Sequence, residues 1–322
     1  MKAVHAALAA SLMLAATGAS AQEKLTYIST WRAQAEHGGY YQALAKGYYK
    51  ACGVDLTIRP AGPGINPQQL FAAGAVDIMM ASHSEVVLQL NQQGFASKAV
   101  MAAFQKNPQI LLTHAGNGIE KIEDMKGKPI MISPNSKATY WAFLKAKYGF
   151  TDEQIRPYSG QIAPWLVDST AIQQAFVTNE PYRVEKETGK VPKVFMLSDL
   201  GWGSYASISI VPQKLIDTKP QAVQCFVDAS KKGWDEFLHK DAAPGIALIK
   251  KDNPDNPDDV IDYVIKTLRA RGIVESGDTA SMGIGAMSEQ RWKDFTAMQV
   301  QAGLVPAGFD YRTVYTNQFL RK

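Results

Sequence analysis

Apolar positions in this chain follow two periods that take turns. Val54, Leu56 and Ile58 alternate with polar neighbours, the period of a strand with one buried face. Tyr40, Leu44 and Tyr48 recur on one face of a helix predicted over Gly38–Cys52, which Gly53 ends. Strands are likewise predicted over Leu25–Thr30, Val76–Ala81 and Ala99–Phe104. A Gly/Pro-rich turn spans Pro60–Pro67, and Ser82 reads as the N-cap of a helix over Glu85–Gln93.

The same grammar restarts near Gln105. Ile110–His114, Ile130–Ser133, Ile172–Val177, Val194–Leu197 and Ala206–Val211 read as strands, with helices over Ser136–Tyr148 and Glu180–Glu187. Beyond them the pattern turns helical, over Pro220–His239, Asp258–Arg271 and Ser288–Ala302. This alternation predicts an α/β protein with a largely parallel sheet in each of two lobes. With no linker between them, the lobes are expected to be joined by crossing strands near Phe104–Asn107 and Gly203–Ser207. The expected division is residues 22–105 and 205–322 in one lobe and 106–204 in the other.

The N-terminus changes the picture of where the chain works. Lys2 precedes an apolar run over Ala3–Ala16, and Ala19-Ser20-Ala21 fits a signal-peptidase site. Residues 1–21 are therefore expected to be a cleaved signal peptide that leaves 301 of the 322 residues as a soluble exported chain. The formal charge of +4 falls to +3 once Lys2 is gone, and the basic residues are scattered, unlike a nucleic-acid footprint. Cys52 and Cys225 are the only cysteines. They read as two buried thiols, with a bridge permitted by an oxidising compartment but not placed by the sequence.

Enzymatic signatures are missing. None of the five histidines lies three or four residues from another, and no G-x-S-x-G, Walker or dinucleotide motif occurs. Neither a metal nor a cofactor is expected, nor catalysis. Candidate ligand contacts instead cluster beyond the ends of predicted strands, where open α/β sheets bind small molecules. Trp31 follows the first strand, and His37, Gly38 and Tyr40 open the next helix. Gly62 sits in the turn after the second strand, Ser84 after the third and Gln105 after the fourth. Asn179, Glu180 and Tyr182 follow a strand of the second lobe, and Trp202 precedes the return crossing.

The block W-R-A-Q-A-E-H-G-G-Y-Y-Q-A-L-A-K-G-Y-Y-K from Trp31, with R-P-A-G-P-G-I-N-P from Arg59, resembles the pyrimidine-precursor branch of ABC-importer binding proteins. That branch is related to fungal thiamine-pyrimidine synthases and, more distantly, to sulfonate, nitrate and taurine binders. The likeness runs on through A-A-G-A-V-D-I-M-M-A-S at 72–82, A-A-F-Q-K-N-P at 102–108 and F-V-T-N-E-P-Y at 176–182, across nearly the whole mature chain. It implies a type II periplasmic-binding-protein fold holding a flat nitrogen heterocycle between the lobes. Carried over, stacking falls to Trp31 and Trp202, and Glu180 receives exocyclic N–H groups. Gln105, Asn179 and Ser84 complete the hydrogen bonds. The partner implied is an inner-membrane ABC permease, with the chain a periplasmic monomer. Two segments depart from the pattern: Ala61-Gly62-Pro63 replaces a G-G-P turn, and Tyr158–Ser169, with Trp165, matches poorly. Flavins and sulfonate-type anions stay open as ligands. The synthases' Cys-rich iron-associated motif is missing, which argues against their chemistry even if His37 is read as their consumed histidine.

Overall fold

The computed structural model describes residues 22–158 and 160–320; the signal peptide expected over 1–21 lies outside them. Among the described residues no helix is long and apolar enough to cross a membrane. The strands are β1 (Glu23–Ile28), β2 (Val54–Arg59), β3 (Ile78–Ala81), β4 (Ser97–Phe104) and β5 (Gln109–Thr113). They continue as β6 (Ile130–Ile132), β7 (Ile155–Pro157), β8 (Ile172–Phe176), β9 (Lys193–Met196) and β10 (Ala206–Pro212). They form two five-stranded sheets, in the orders β2-β1-β3-β10-β4 and β7-β6-β8-β5-β9.

Each sheet is largely parallel, as expected, with one reversed strand that makes it mixed. β1 runs parallel to β2 and β3, but β10 is antiparallel to β3 and β4. β6 runs parallel to β7 and β8, while β5 is antiparallel to β8 and β9. The reversed strands are the two that have just come across from the other sheet. β5 follows β4 directly, and β10 follows the second sheet. Each therefore enters from the hinge, opposite to strands that end there. Their direction is illegible in sequence because a fully buried strand such as β5 shows no polar face.

Burial follows the alternation in β2, where Val54, Leu56 and Ile58 point inward. The helical expectations need correction in places; the helix predicted over Ser136–Tyr148, for one, is split at Thr139 into Pro134–Lys137 and Tyr140–Tyr148. The helix predicted over Gly38–Cys52 breaks at Gly47, whose φ of 68° is left-handed, into Gly38–Ala45 and Tyr48–Ala51. The residue at the N-cap of helix Glu85–Gln92 is Ser84, not Ser82. Helices Ala163–Val167 and Ala243–Asp252 escaped the sequence pattern because Pro164 and Pro244 read as breakers, although a first helical turn tolerates proline.

The C-terminal half wraps the first sheet. Helix Pro220–His239 packs on helix Gly38–Ala45, and Ala99 and Ala102 of β4 bridge to Tyr315 and Gly285. Cys225 of that long helix is joined to Cys52 by a disulfide with Cα atoms 5.6 Å apart, which corrects the reading of two free thiols. The residues are 173 apart in sequence, so only the tertiary packing brings them within bridging range. Arg291 fastens the two crossings to one another. Its guanidinium donates to the carbonyls of Gln105 (2.6 Å), Gly203 (2.7 Å) and Ser204 (3.2 Å) and lies 3.8 Å over the Tyr205 ring.

Candidate functional site

A cleft of about 600 Å³ opens where β1, β3, β7 and β8 end, with walls from both sheets and from the segment that enters helix Asp258–Ala270. That is the carboxyl edge at which open α/β sheets take ligands. The first lobe contributes Trp31 and the short turn Ala35–His37, both just after β1. The second contributes Phe176 at the end of β8, then Asn179 and Glu180 at the start of helix Glu180–Thr188. Trp31 and Phe176 are 45% and 41% exposed, large apolar faces left open within the cleft. Flat rings of this kind suit stacking on a planar ligand.

The cleft is acidic. The Glu180 carboxylate accepts a hydrogen bond from the Phe176 N–H at 2.8 Å. Burial pushes its pKa above the ordinary carboxylate value, opposed by that N–H, by its own backbone N–H and by the charge of Arg183. Glu36 is pushed up to about 6, mainly by burial and further by the negative charge of Glu180, while the Thr178 hydroxyl bonds to it and pulls the other way. His37, 2% exposed, is lowered to about 3 by burial and stays neutral. Among the described residues no lysine or arginine lines the cleft.

Among the described residues, three buried polar atoms on its lining have no hydrogen-bond partner: His37 Nδ1, Ser207 Oγ and Asn256 Nδ2. Leaving such a group unpaired costs about 1–3 kcal/mol. Ser207 also holds a φ of 47°, a left-handed conformation that L-residues with side chains rarely adopt. Unpaired groups and strain gathered at one cleft mark a surface shaped for something outside the chain.

Of the residues singled out from sequence, Trp31, His37, Asn179 and Glu180 line this cleft. The other seven lie elsewhere, each for a visible reason. Gly38 faces the Phe237 ring, where a Cβ would come within 2.1 Å, so its smallness serves helix packing. Tyr40 is wholly buried against Tyr27 and Phe226, with its hydroxyl 3.1 Å from Ser209 Oγ. Gly62 sits beside Arg32, outside the cleft lining.

Ser84 and Gln105 are spent on the hinge. Ser84 Oγ accepts from the Tyr205 N–H at 3.0 Å, and Gln105 Nε2 donates to the Ala286 carbonyl at 2.8 Å. Tyr182 donates to Asp259 at 2.7 Å and stacks on Tyr263, a contact between the second lobe and helix Asp258–Ala270. Trp202 is 1% exposed and packs edge-on to Tyr140. Sequence reasoning passed over Glu36, although it stands next to His37 in the A-E-H-G-G-Y block. It also missed Gln174, Ser207 and Asn256, which carry no motif signal, whereas Tyr158 on the lining opens the segment Tyr158–Ser169 that departs from the family pattern.

Two sheets whose hinge strands are exchanged, with a cleft between them, define the type II periplasmic-binding-protein fold. The periplasmic aliphatic sulphonate binding protein SsuA of Escherichia coli shares it. The TM-score is 0.67 at 14% identity, over 91% of this chain and 92% of that one. The chain belongs to the NMT1/THI5-like family, which it matches over residues 34–243. It is 24% identical to the riboflavin-binding protein RibY of Chloroflexus aurantiacus over 320 residues, 92% of this chain and 86% of that protein. It is also 25% identical to the 4-amino-5-hydroxymethyl-2-methylpyrimidine phosphate synthase of Candida albicans over 230 residues, 67% of each chain.

Proposed function

We propose that the chain is the periplasmic solute-binding component of an ABC importer and that its ligand is a small, flat nitrogen heterocycle of the aminopyrimidine class. The observation that carries this reading is the cleft itself: open aromatic faces from both lobes, acidic acceptors, and buried polar atoms waiting for partners. Trp31 and Phe176 supply stacking faces, at roughly 1–3 kcal/mol for each stacked ring. Glu180 and Glu36 accept N–H groups, and charge-assisted bonds of this kind contribute roughly 1.5–3 kcal/mol each. His37, Ser207 and Asn256 fix the orientation. Closure of the lobes on the ligand presents a surface for a permease to read.

A second reading, a flavin, is favoured by the similarity to RibY along most of both chains. A sulfonate is disfavoured because, among the described residues, no lysine or arginine lines the cleft to meet it. The synthase reading rests on the Candida relative and finds no support in the two cysteines, which are bridged.

A thermal-shift screen of the chain from Gln22 tests the proposal. A ligand at one hundred times its dissociation constant adds about 2.7 kcal/mol of stability. An aminopyrimidine is expected to raise the midpoint, and Trp31→Ala and Glu180→Ala are each expected to abolish the rise. A shift with riboflavin alone transfers the function to the flavin reading. Normal binding by both variants refutes the site.

A further inference from the structure

We infer that Glu36 and Glu180 work as one acceptor pair, a carboxylate from each lobe, that selects a ligand carrying positive charge over its neutral isostere. This rests on the receptor reading above and restricts its flat nitrogen heterocycles to those more basic than 4-aminopyrimidine, protonated at neutral pH.

Glu36 comes from the turn Ala35–His37 of the first lobe, and Glu180 opens helix Glu180–Thr188 of the second. Both line the same cleft, and Glu36 feels the charge of Glu180 directly. The other groups facing the pair do not neutralise it. His37 is held neutral by burial, and the Tyr158 phenol is held protonated, pushed up to about 12 by burial and by Glu180. The charge of Arg183 acts on Glu180. That residue stands on the same helix outside the cleft lining, with its guanidinium also 3.9 Å from Glu187. Thr178, also on the lining, is neutral and lowers the Glu36 pKa without supplying a counter-charge.

A partly buried Glu36 and a buried Glu180 therefore share a space that no lysine or arginine lines among the described residues. An isolated buried charge is costly, so such a pair either takes up protons or takes up a cation. That the space is meant for a ligand is argued independently by Asn256 Nδ2 and Ser207 Oγ, 8% and 5% exposed by residue and unpartnered on the same lining. A neutral ring leaves the repulsion standing, an anion adds to it, and a cation placed between the two cancels it. Because the carboxylates sit on opposite lobes, the same cation also offsets the repulsion that opposes closure.

Isothermal titration with 4-aminopyridine and 4-aminopyrimidine separates the cases. The two share shape and amine position, but at about pH 8 the first is a cation and the second is neutral, while Glu36, pushed up only to about 6, is ionised. The cation is expected to bind at least about tenfold more tightly, the effect of one nearby opposite charge. Glu36→Gln and Glu180→Gln are each expected to bring the ratio of the two affinities towards one. Equal or tighter binding of 4-aminopyrimidine by the unmodified chain overturns the inference and leaves the heterocycle receptor intact. Binding of riboflavin alone overturns it together with the aminopyrimidine assignment but spares the importer reading. If 4-aminopyridine, 4-aminopyrimidine, riboflavin and an alkanesulfonate all fail to bind, the inference and the proposed function fall together.

Discussion

Glu85 shows how much a single buried residue can bend the stability of this protein. It is 3% exposed behind the hinge, with its carboxylate 3.2 Å from the Ser204 hydroxyl. Burial pushes its pKa from 4.5 up to about 7, partly offset by backbone and Ser204 hydrogen bonds. Between those values the folded chain binds more protons than the unfolded one, so the Glu85 contribution makes stability fall as pH rises from about 4.5 to 7. His37 and His83, lowered to about 3 and about 4, act in the opposite sense. Their neutral folded forms make stability rise with pH up to the ordinary histidine value near 6.5. Glu85→Gln keeps the shape and removes only the carboxylate term. Its unfolding free energy in urea is expected to match the parent near pH 5 and to exceed it by about 1–3 kcal/mol near pH 8. Parallel pH profiles for the two proteins would rule this out. In the sequence Glu85 is one acidic residue at a helix start, an ordinary place for it. That it is dry depends on Ser204 and Gln299, more than a hundred residues away.

At the scale of elements, the contact between helices Gly38–Ala45 and Pro220–His239 is set by glycines. A Cβ on Gly39 would come within 2.1 Å of the Trp234 ring, and one on Gly233 within 2.1 Å of the Gly39 carbonyl oxygen. The second obstacle is backbone and cannot swing away, so the helices must separate to admit a methyl group. Gly233→Ala is expected to cost about 1–3 kcal/mol of stability through overpacking. Gly62→Ala, where the nearest atom would be an ordinary 3.8 Å away, is expected to stay within about 0.5 kcal/mol of the parent. Equal midpoints for the two variants would show that the helix pair yields more easily than its packing indicates. The H-G-G-Y block was therefore legible as a place of close approach, but not what approaches. The partner is another helix nearly two hundred residues on, and a ligand would have left the same trace in the sequence.

Across the whole molecule, the Cys52–Cys225 bridge staples the turn before β2 to the long C-terminal helix. A loop of this length gives a bridge worth about 2–5 kcal/mol, chiefly by restricting the unfolded chain. The double variant Cys52→Ser/Cys225→Ser and the reduced parent are expected to show the same drop in thermal midpoint. A midpoint indifferent to reductant would mean that the bridge carries no stability. The bridge belongs with Arg291 and the exchanged strands β5 and β10 among features that close over long stretches of chain. Periodicity reports none of them, because each depends on which distant surfaces meet.

Local chemistry was written in the residue order. Alternating and helical periods announced an α/β chain, turn residues placed most of its elements, and the ends of strands held Trp31, His37, Asn179 and Glu180. Short-range sterics and the burial of one face per element act within a few residues, so they leave a pattern that can be read in line. Strand direction, the disulfide, the pairing of Glu36 with Glu180 and the burial that shifts Glu85 were decided by the tertiary structure. So was the retreat of Tyr40, Ser84 and Trp202 from the cleft into packing and hinge bonds. These depend on desolvation and contact between segments far apart in sequence, and neither exists until the chain has folded.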